Sequence, residues 1–382
     1  MISRAENTSI IYNMIHFFIG TKAQLIKTAP VMLELQKMNV PFRYIDSGQH
    51  AEFTSEIRRD LQLPEPDVFL GRSSDDVASY GSASKWLGQT VLRWAFRPSW
   101  IRERVFGGHG GICVVHGDTA STLIGARYAW RAGLEVAHLE AGLRSYNYFN
   151  PFPEEWIRVH CMKRAALLFA PDRPAVENLE RVKVLGEIVQ TKGNTVIDSL
   201  RLVVDRQTGS SREPYLLATF HRLETLNSRK RMKAAVNLLN EATKYHPVKF
   251  VTHKPTEKAL GKYQLRDKLG PLVEQLPMQP YHRFIDLMQN AETVLADGGS
   301  IQEECAILGK PLIILRDTTE RPDGIGVSAA LCPLDDVAKL HELLSTTRGQ
   351  ISKYEQPKDK QPHSPSKAVA NRLKHYCGES DA

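Results

Sequence analysis

The chain has 382 residues, 42% of them apolar and 24% charged, which excludes a disordered, collagen-like or fibrous protein. Its length exceeds the roughly 100–200 residues that one core organises, so two domains are expected. The formal charge of +7 leaves phosphate, nucleic acid and acidic lipid open as partners, while no apolar run approaches the ~18 residues of a membrane span.

From the amino end, the apolar stretch after Arg4 runs into Gly20-Thr21-Lys22 rather than a small-residue cleavage site, so it is read as a strand behind a leader of residues 1–13. Short β-branched and aliphatic runs then recur at 15–19, 42–46, 112–116, 134–139, 166–170, 215–220, 249–253, 293–296 and 311–315. Helix-length amphipathic segments separate most of them. Strand-then-helix alternation predicts parallel sheets covered on both faces, because a parallel connection needs a crossover of about a dozen residues. The class is α/β, with two doubly wound domains on either side of a connector near 185–212. The basic, aromatic segment 91–106 is expected to form surface helices broken at Pro98 whose aromatics pack inward, with an interfacial membrane helix as the alternative. The Lys-, Gln-, Ser- and Pro-rich stretch 346–367 is expected to be a solvated connector before a last helix near 366–375.

Five single cysteines (Cys113, Cys161, Cys305, Cys332, Cys377), without CxxC spacing, point to a reducing, cytoplasmic setting. No metal-ligand spacing, GxSxG or dinucleotide fingerprint occurs, so no metal, acyl-enzyme or nicotinamide chemistry is expected.

In doubly wound folds the loops at the carboxyl ends of strands build the site. Here those loops hold Gly20-Thr21-Lys22, Ser47-Gly48-Gln49-His50, Gly117-Asp118-Thr119, Glu140-Ala141-Gly142-Leu143-Arg144, His221-Arg222-Leu223-Glu224 and Asp297-Gly298-Gly299-Ser300. In the last, two glycines admit a close ligand, and Ser300 with Glu303 predicts a capping box whose helix start faces an anion such as a diphosphate. A plain strand-to-helix turn is the competing reading. Asp118, Glu140 and Glu154 are three carboxylates on neighbouring loops, where mutual repulsion separates acid from base. Singly each is better explained by a cap or a salt bridge, Asp118 as an N-cap and Glu140 paired with Arg144; the three together in one crevice favour the chemical reading. His50 and His221 stand at crevice edges, suited to an anion or a proton, although a lone histidine is more often structural.

Taken together, Gly-Thr-x-x-x-x-Ile-Lys-x-Ala-Pro at 20–30, Ser-Gly-Gln-His at 47–50, His-Gly-Asp-Thr at 116–119, His-Leu-Glu-Ala-Gly-Leu-Arg at 138–144, Pro-Glu-Glu at 153–155, Gly-Asn-Thr-Val-Ile-Asp at 193–198, His-Arg-x-Glu at 221–224, Gln-Glu-Glu at 302–304 and Arg-Asp-Thr-Thr-Glu-Arg-Pro at 316–322 resemble the non-hydrolysing UDP-N-acetylglucosamine 2-epimerase family, in order and over nearly the whole chain. The resemblance implies two Rossmann-like domains of GT-B type with an interdomain cleft: residues 14–188 carrying the acids, 189–364 binding UDP, and a C-terminal helix in 365–382 returning to the first. It implies interconversion of UDP-N-acetylglucosamine and UDP-N-acetylmannosamine through elimination of UDP to 2-acetamidoglucal, without a cofactor, in polysaccharide biosynthesis. A UDP-sugar is the implied partner, with no nucleic acid and with a homodimer as the working form. Asp118, Glu140, Glu154 and His221 match the catalytic positions. Lys22, Lys27, Arg144, Arg158, Phe284, Gly298, Gly299, Ser300 and Glu304 match substrate-binding ones. The chain departs from the family at Lys22-Ala23-Gln24, where Arg-Pro-Glu is usual, and at Gly298 and Ser300, where the hydroxyl has moved two places. A hydrolysing epimerase, an epimerase of another UDP-2-acetamido sugar, a GT-B glycosyltransferase and a non-catalytic UDP-sugar sensor are the alternatives.

Overall fold

A strand inside a parallel sheet is covered on both faces and therefore carries an unbroken apolar run. In the computed structural model, which describes residues 13–49, 51–71, 98–148, 153–204, 213–319, 323–350 and 363–378, β1 (Met14–Ile19) is such a strand, buried from Ile15 onward. With β2 (Phe42–Asp46), β3 (Val68–Phe69), β4 (Gly111–His116), β5 (Glu135–Leu139), β6 (Leu167–Ala170) and β7 (Glu187–Gln190) it forms a seven-stranded parallel sheet in the order β3-β2-β1-β4-β5-β6-β7. A second parallel sheet has the order β10-β9-β8-β11-β12-β13, from β8 (Leu216–Thr219), β9 (Val248–Val251), β10 (Val273–Leu276), β11 (Thr293–Ala296), β12 (Leu312–Ile314) and β13 (Ala329–Leu331). The α/β class and the doubly wound sheets are as the sequence implies. In each sheet the chain reverses direction once, between β1 and β4 and between β8 and β11. Those gaps are the topological switch points where loops part and a ligand fits.

The chain divides into two compact units, Met1–Ser199 with His363–Ala382, and Leu200–Pro362. The last helix, Pro365–Tyr376, packs on the helix Lys22–Lys37 of the first unit. Its N-cap Ser364 donates to Asp198 at 2.9 Å, the Ser366 N–H donates to the same carboxylate, and Arg372 pairs with Glu187.

One expectation is corrected. The stretch 185–212 is not a plain connector, because it holds β7 and the helix Val196–Val204. From Pro98 onward the basic, aromatic segment forms the helix Pro98–Arg104, in keeping with the surface helix expected there. Ile101, Val105 and Phe106 then bury in the first unit's core with Trp100 packed against it. The leader 1–12, His50, residues 91–97, the linker 205–212, residues 320–322 and the tail 351–362 lie outside the described residues.

Candidate active site

At the first switch point one buried amide joins two loops. Gly20 follows β1 closely enough to Ser47 and Ser121 that a Cβ there would lie 2.3 Å from Ser47 Oγ, so only glycine fits. Thr21 caps the helix Lys22–Lys37 and forms a capping box with Gln24. The Gln24 side chain is 1% exposed. Its Oε1 accepts from the N–H groups of Gly20 (2.9 Å) and Thr21 (3.2 Å) and from Ser121 Oγ (2.7 Å). Its Nε2 faces His116 O (2.8 Å), Thr119 Oγ1 (2.9 Å) and Thr122 Oγ1 (3.0 Å), beyond the end of β4. The loops after β1 and β4 are thus held together around an amide that both donates and accepts, which the departure from glutamate permits.

Above this amide lie two charged networks. Lys27, 3% exposed, donates to Glu140 Oε1 at 2.9 Å, and His116 Nε2 lies 3.2 Å from Glu140 Oε2. Glu140 holds φ +58, a left-handed conformation that costs a non-glycine residue free energy and recurs at functional sites. It lines a recess with Thr191, Asn194 and Thr195 at the carboxyl ends of β5 to β7. The second network runs Arg144–Glu155–Arg158–Asp118: Glu155 accepts from Arg144 Nε at 2.5 Å, Ser145 N at 3.0 Å and Arg158 Nη1 at 3.2 Å, and Arg158 Nη2 pairs with Asp118. Burial opposes ionisation of Glu155, but the Ser145 amide and the two guanidiniums hold its carboxyl below the ordinary value. His138, wholly buried, ties the networks together. Its Nε2 donates to Gly117 O at 2.7 Å, and Arg158, Asp118 and Glu140 all act on it electrostatically. Burial draws its pKa down to about 4, so the ring is neutral at pH 7.

Of the first-domain candidates, Asp118, Glu140, Lys27 and Arg158 are therefore brought together, with Arg144 joined through Glu155. The particular partners expected are not those found, since the N-cap is Thr119 and Arg144 pairs with Glu155, but both carboxylates do form salt bridges, Glu140 with Lys27 and Asp118 with Arg158. Glu154 is the first residue of the helix Glu154–Met162, next to Glu155, and Lys22 is the first residue of its helix, partly exposed.

In the second unit a buried carboxylate plays the joining part. Asp297, 1% exposed, directly follows β11. Its Oδ2 accepts the backbone N–H groups of His221 (2.9 Å) and Arg222 (2.8 Å), and its Oδ1 lies 3.0 Å from His221 Nδ1. Burial works against its charge, yet His221 and these hydrogen bonds keep its carboxyl below the ordinary value. Gly298 and Gly299 follow with φ +94 and +83, and a Cβ on Gly299 would lie 3.2 Å from His221 Nε2. The guanidiniums of Arg222 and Arg316 come to about 4 Å from where a Gly298 Cβ would stand, and Arg316 also pairs with Glu224 at 3.2 Å. The expected capping box is absent. Gly299 is the N-cap, and Ser300 is already the first helical residue. Glu304 is buried and accepts from Tyr281 Oη at 3.2 Å, while Phe284 lies partly buried on the helix Tyr281–Asn290.

Sequence reasoning passed over Gln24, His116, His138, Glu155, Arg222, Asp297 and Arg316. All seven stood within the quoted motifs or departures without being given a role, because only their burial and partners reveal that they organise their neighbours. Among the described residues no group of three histidines, cysteines or carboxylates is arranged to hold a metal ion.

The family model described as UDP-N-acetylglucosamine 2-epimerase matches residues 33–372. The UDP-N-acetylglucosamine 2-epimerase of Methanocaldococcus jannaschii is 32% identical over 339 residues, 84% of this chain and 88% of that protein. Its counterpart from Neisseria meningitidis is 30% identical over 332 residues, 80% of this chain and 83% of that one. The crystal structure of the M. jannaschii enzyme in complex with UDP-GlcNAc and UDP superposes with a TM-score of 0.80 at 27% identity, covering 95% of this chain and 99% of that one. A family match over most of the length, an ordered set of motifs and two sheets of matching topology converge on one assignment: the chain belongs to the UDP-N-acetylglucosamine 2-epimerase family, whose members are isomerases.

Proposed function

We propose that the protein is a non-hydrolysing UDP-N-acetylglucosamine 2-epimerase, interconverting UDP-N-acetylglucosamine and UDP-N-acetylmannosamine. The observation that carries this is the gathering of Asp118 and Glu140, each matched by a cation, around the neutral His138. The C2 hydrogen is not next to a carbonyl, so a base alone removes it poorly. Its loss must be coupled to departure of UDP, which takes the C1–O electron pair and develops positive charge at C1 that carboxylates stabilise. In this scheme one of Asp118, Glu140 and Glu154 takes the C2 proton and another returns a proton to the opposite face of 2-acetamidoglucal, after which UDP adds back to C1. Lys22, Lys27, Arg144 and Arg158 supply positive charge to the substrate. Gly298, Gly299 and Ser300 offer backbone N–H groups at a helix start to the diphosphate, His221 faces the same group, and Phe284 and Glu304 hold the nucleoside. We place the working form in the cytoplasm as a homodimer, which sedimentation equilibrium tests directly.

Incubation with UDP-N-acetylglucosamine in deuterium oxide is expected to place deuterium at C2 of the recovered nucleotide sugar, read by proton NMR. Free UDP without exchange would point instead to the hydrolysing reaction. Asp118→Asn is expected to lower turnover far more than UDP affinity; the reverse pattern would remove Asp118 from the chemistry.

A further inference from the structure

We propose that Asp297 is a positioning residue that sets the tautomer of His221, so that the neutral ring presents an unprotonated Nε2 to the glycine turn. The two carboxylate oxygens face His221 and its backbone in different ways. Oδ2 is committed to two backbone N–H groups, at 2.9 and 2.8 Å, and Oδ1 lies 3.0 Å from His221 Nδ1. A carboxylate only accepts, so Nδ1 must carry the proton. Nε2 is then an acceptor while the ring is neutral and a donor once it is charged.

The other side of the ring completes the case. Gly299, at φ +83, has no side chain, and the ring occupies that space. The imidazole is 39% exposed while Asp297 is 1% exposed, so a ligand reaches Nε2 while the orienting group stays out of water. Arg222 and Arg316 flank the neighbouring Gly298, Glu224 is paired with Arg316, and the ring of His253 lies 6.3 Å from that of His221. The consequence for turnover rests on the epimerase reading above; the tautomer does not.

Asp297→Asn tests this with almost no change in shape. The two backbone N–H groups still require an oxygen, so the amide must turn its NH2 toward Nδ1, which then has to accept, and the proton moves to Nε2. Wrong-tautomer variants of buried Asp–His pairs lose up to ~10⁴ in rate. Here we expect a loss of about a hundredfold or more in turnover, with UDP affinity within about threefold of wild type. The full chain labelled with ¹⁵N-histidine, studied by two-bond ¹H–¹⁵N correlation at a pH where the ring is neutral and with His221→Gln for assignment, is expected to show Nδ1–H in the wild type and Nε2–H in D297N. A wild type in the Nε2–H form overturns the proposal even if the variant does not fold. So does a D297N protein that keeps the wild-type tautomer or turns over within twofold of wild type. If the wild type exchanges no C2 proton in any UDP-sugar, the reaction assigned above fails, and the tautomer measurement still decides the role of Asp297.

Discussion

Replacing His138 by glutamine should flatten the acid sensitivity of the first unit. The native ring is wholly buried and donates to Gly117 O at 2.7 Å. Burial lowers its pKa from 6.5 to about 4. A base whose folded-state pKa lies below its unfolded value binds its proton more readily in the unfolded chain. The associated stability is therefore complete above pH ~6.5 and is lost as the pH falls through about 4. At ~1.4 kcal/mol per decade, this interval of about two and a half decades amounts to about 3 kcal/mol. Glutamine keeps an N–H donor for the carbonyl and does not titrate. His16, which burial draws down to about 3, acts in the same direction but is common to both proteins and cancels. All five tryptophans (Trp86, Trp94, Trp100, Trp130, Trp156) precede Ser199, so tryptophan fluorescence during guanidinium unfolding follows the first unit alone. Between pH 7 and pH 4 the wild type should lose about 3 kcal/mol more than His138→Gln. Parallel pH curves for the two proteins would refute the burial argument.

Two further outcomes follow from the same geometry. Glu155→Gln leaves Arg144 and Arg158 without their shared anion, and breaking such a buried pair typically costs about 3–5 kcal/mol, again read by tryptophan fluorescence. A loss below about 1 kcal/mol would mean that the guanidiniums do not depend on Glu155. Gly299→Ala forces a β-carbon into a left-handed position 3.2 Å from His221 Nε2, and is expected to weaken UDP binding about tenfold by titration calorimetry while leaving the first unit's unfolding unchanged.

The strands that the sequence disclosed are the central ones. Parallel strands such as Leu216–Thr219 and Thr293–Ala296 are buried at every residue and must be apolar throughout. Val68–Phe69, Glu187–Gln190, Val273–Leu276 and Ala329–Leu331 escaped notice because they are short or at a sheet edge, with one side in water and mixed composition to match. Candidate residues such as Asp118 and Glu140 were legible from their place after a strand, a local property of the chain. Gln24, His138 and Asp297 were not, because each matters through partners roughly 20 to 100 residues away, which no spacing rule reveals. The displaced cap at Gly299 shows the same limit. Ser300 and Glu303 have the right spacing, but the helix begins one residue earlier than a cap at Ser300 would set it, with Gly299 as the cap.

The helix Pro365–Tyr376 is translated only after the whole of the second unit, yet it covers the helix that bears Lys27. On the ribosome, the amino-terminal sheet must wait with one apolar flank bare while some 160 residues of intervening chain emerge, a long interval at ~5–20 residues per second. That flank closes only when Val369, Ala370 and Leu373 arrive to bury it.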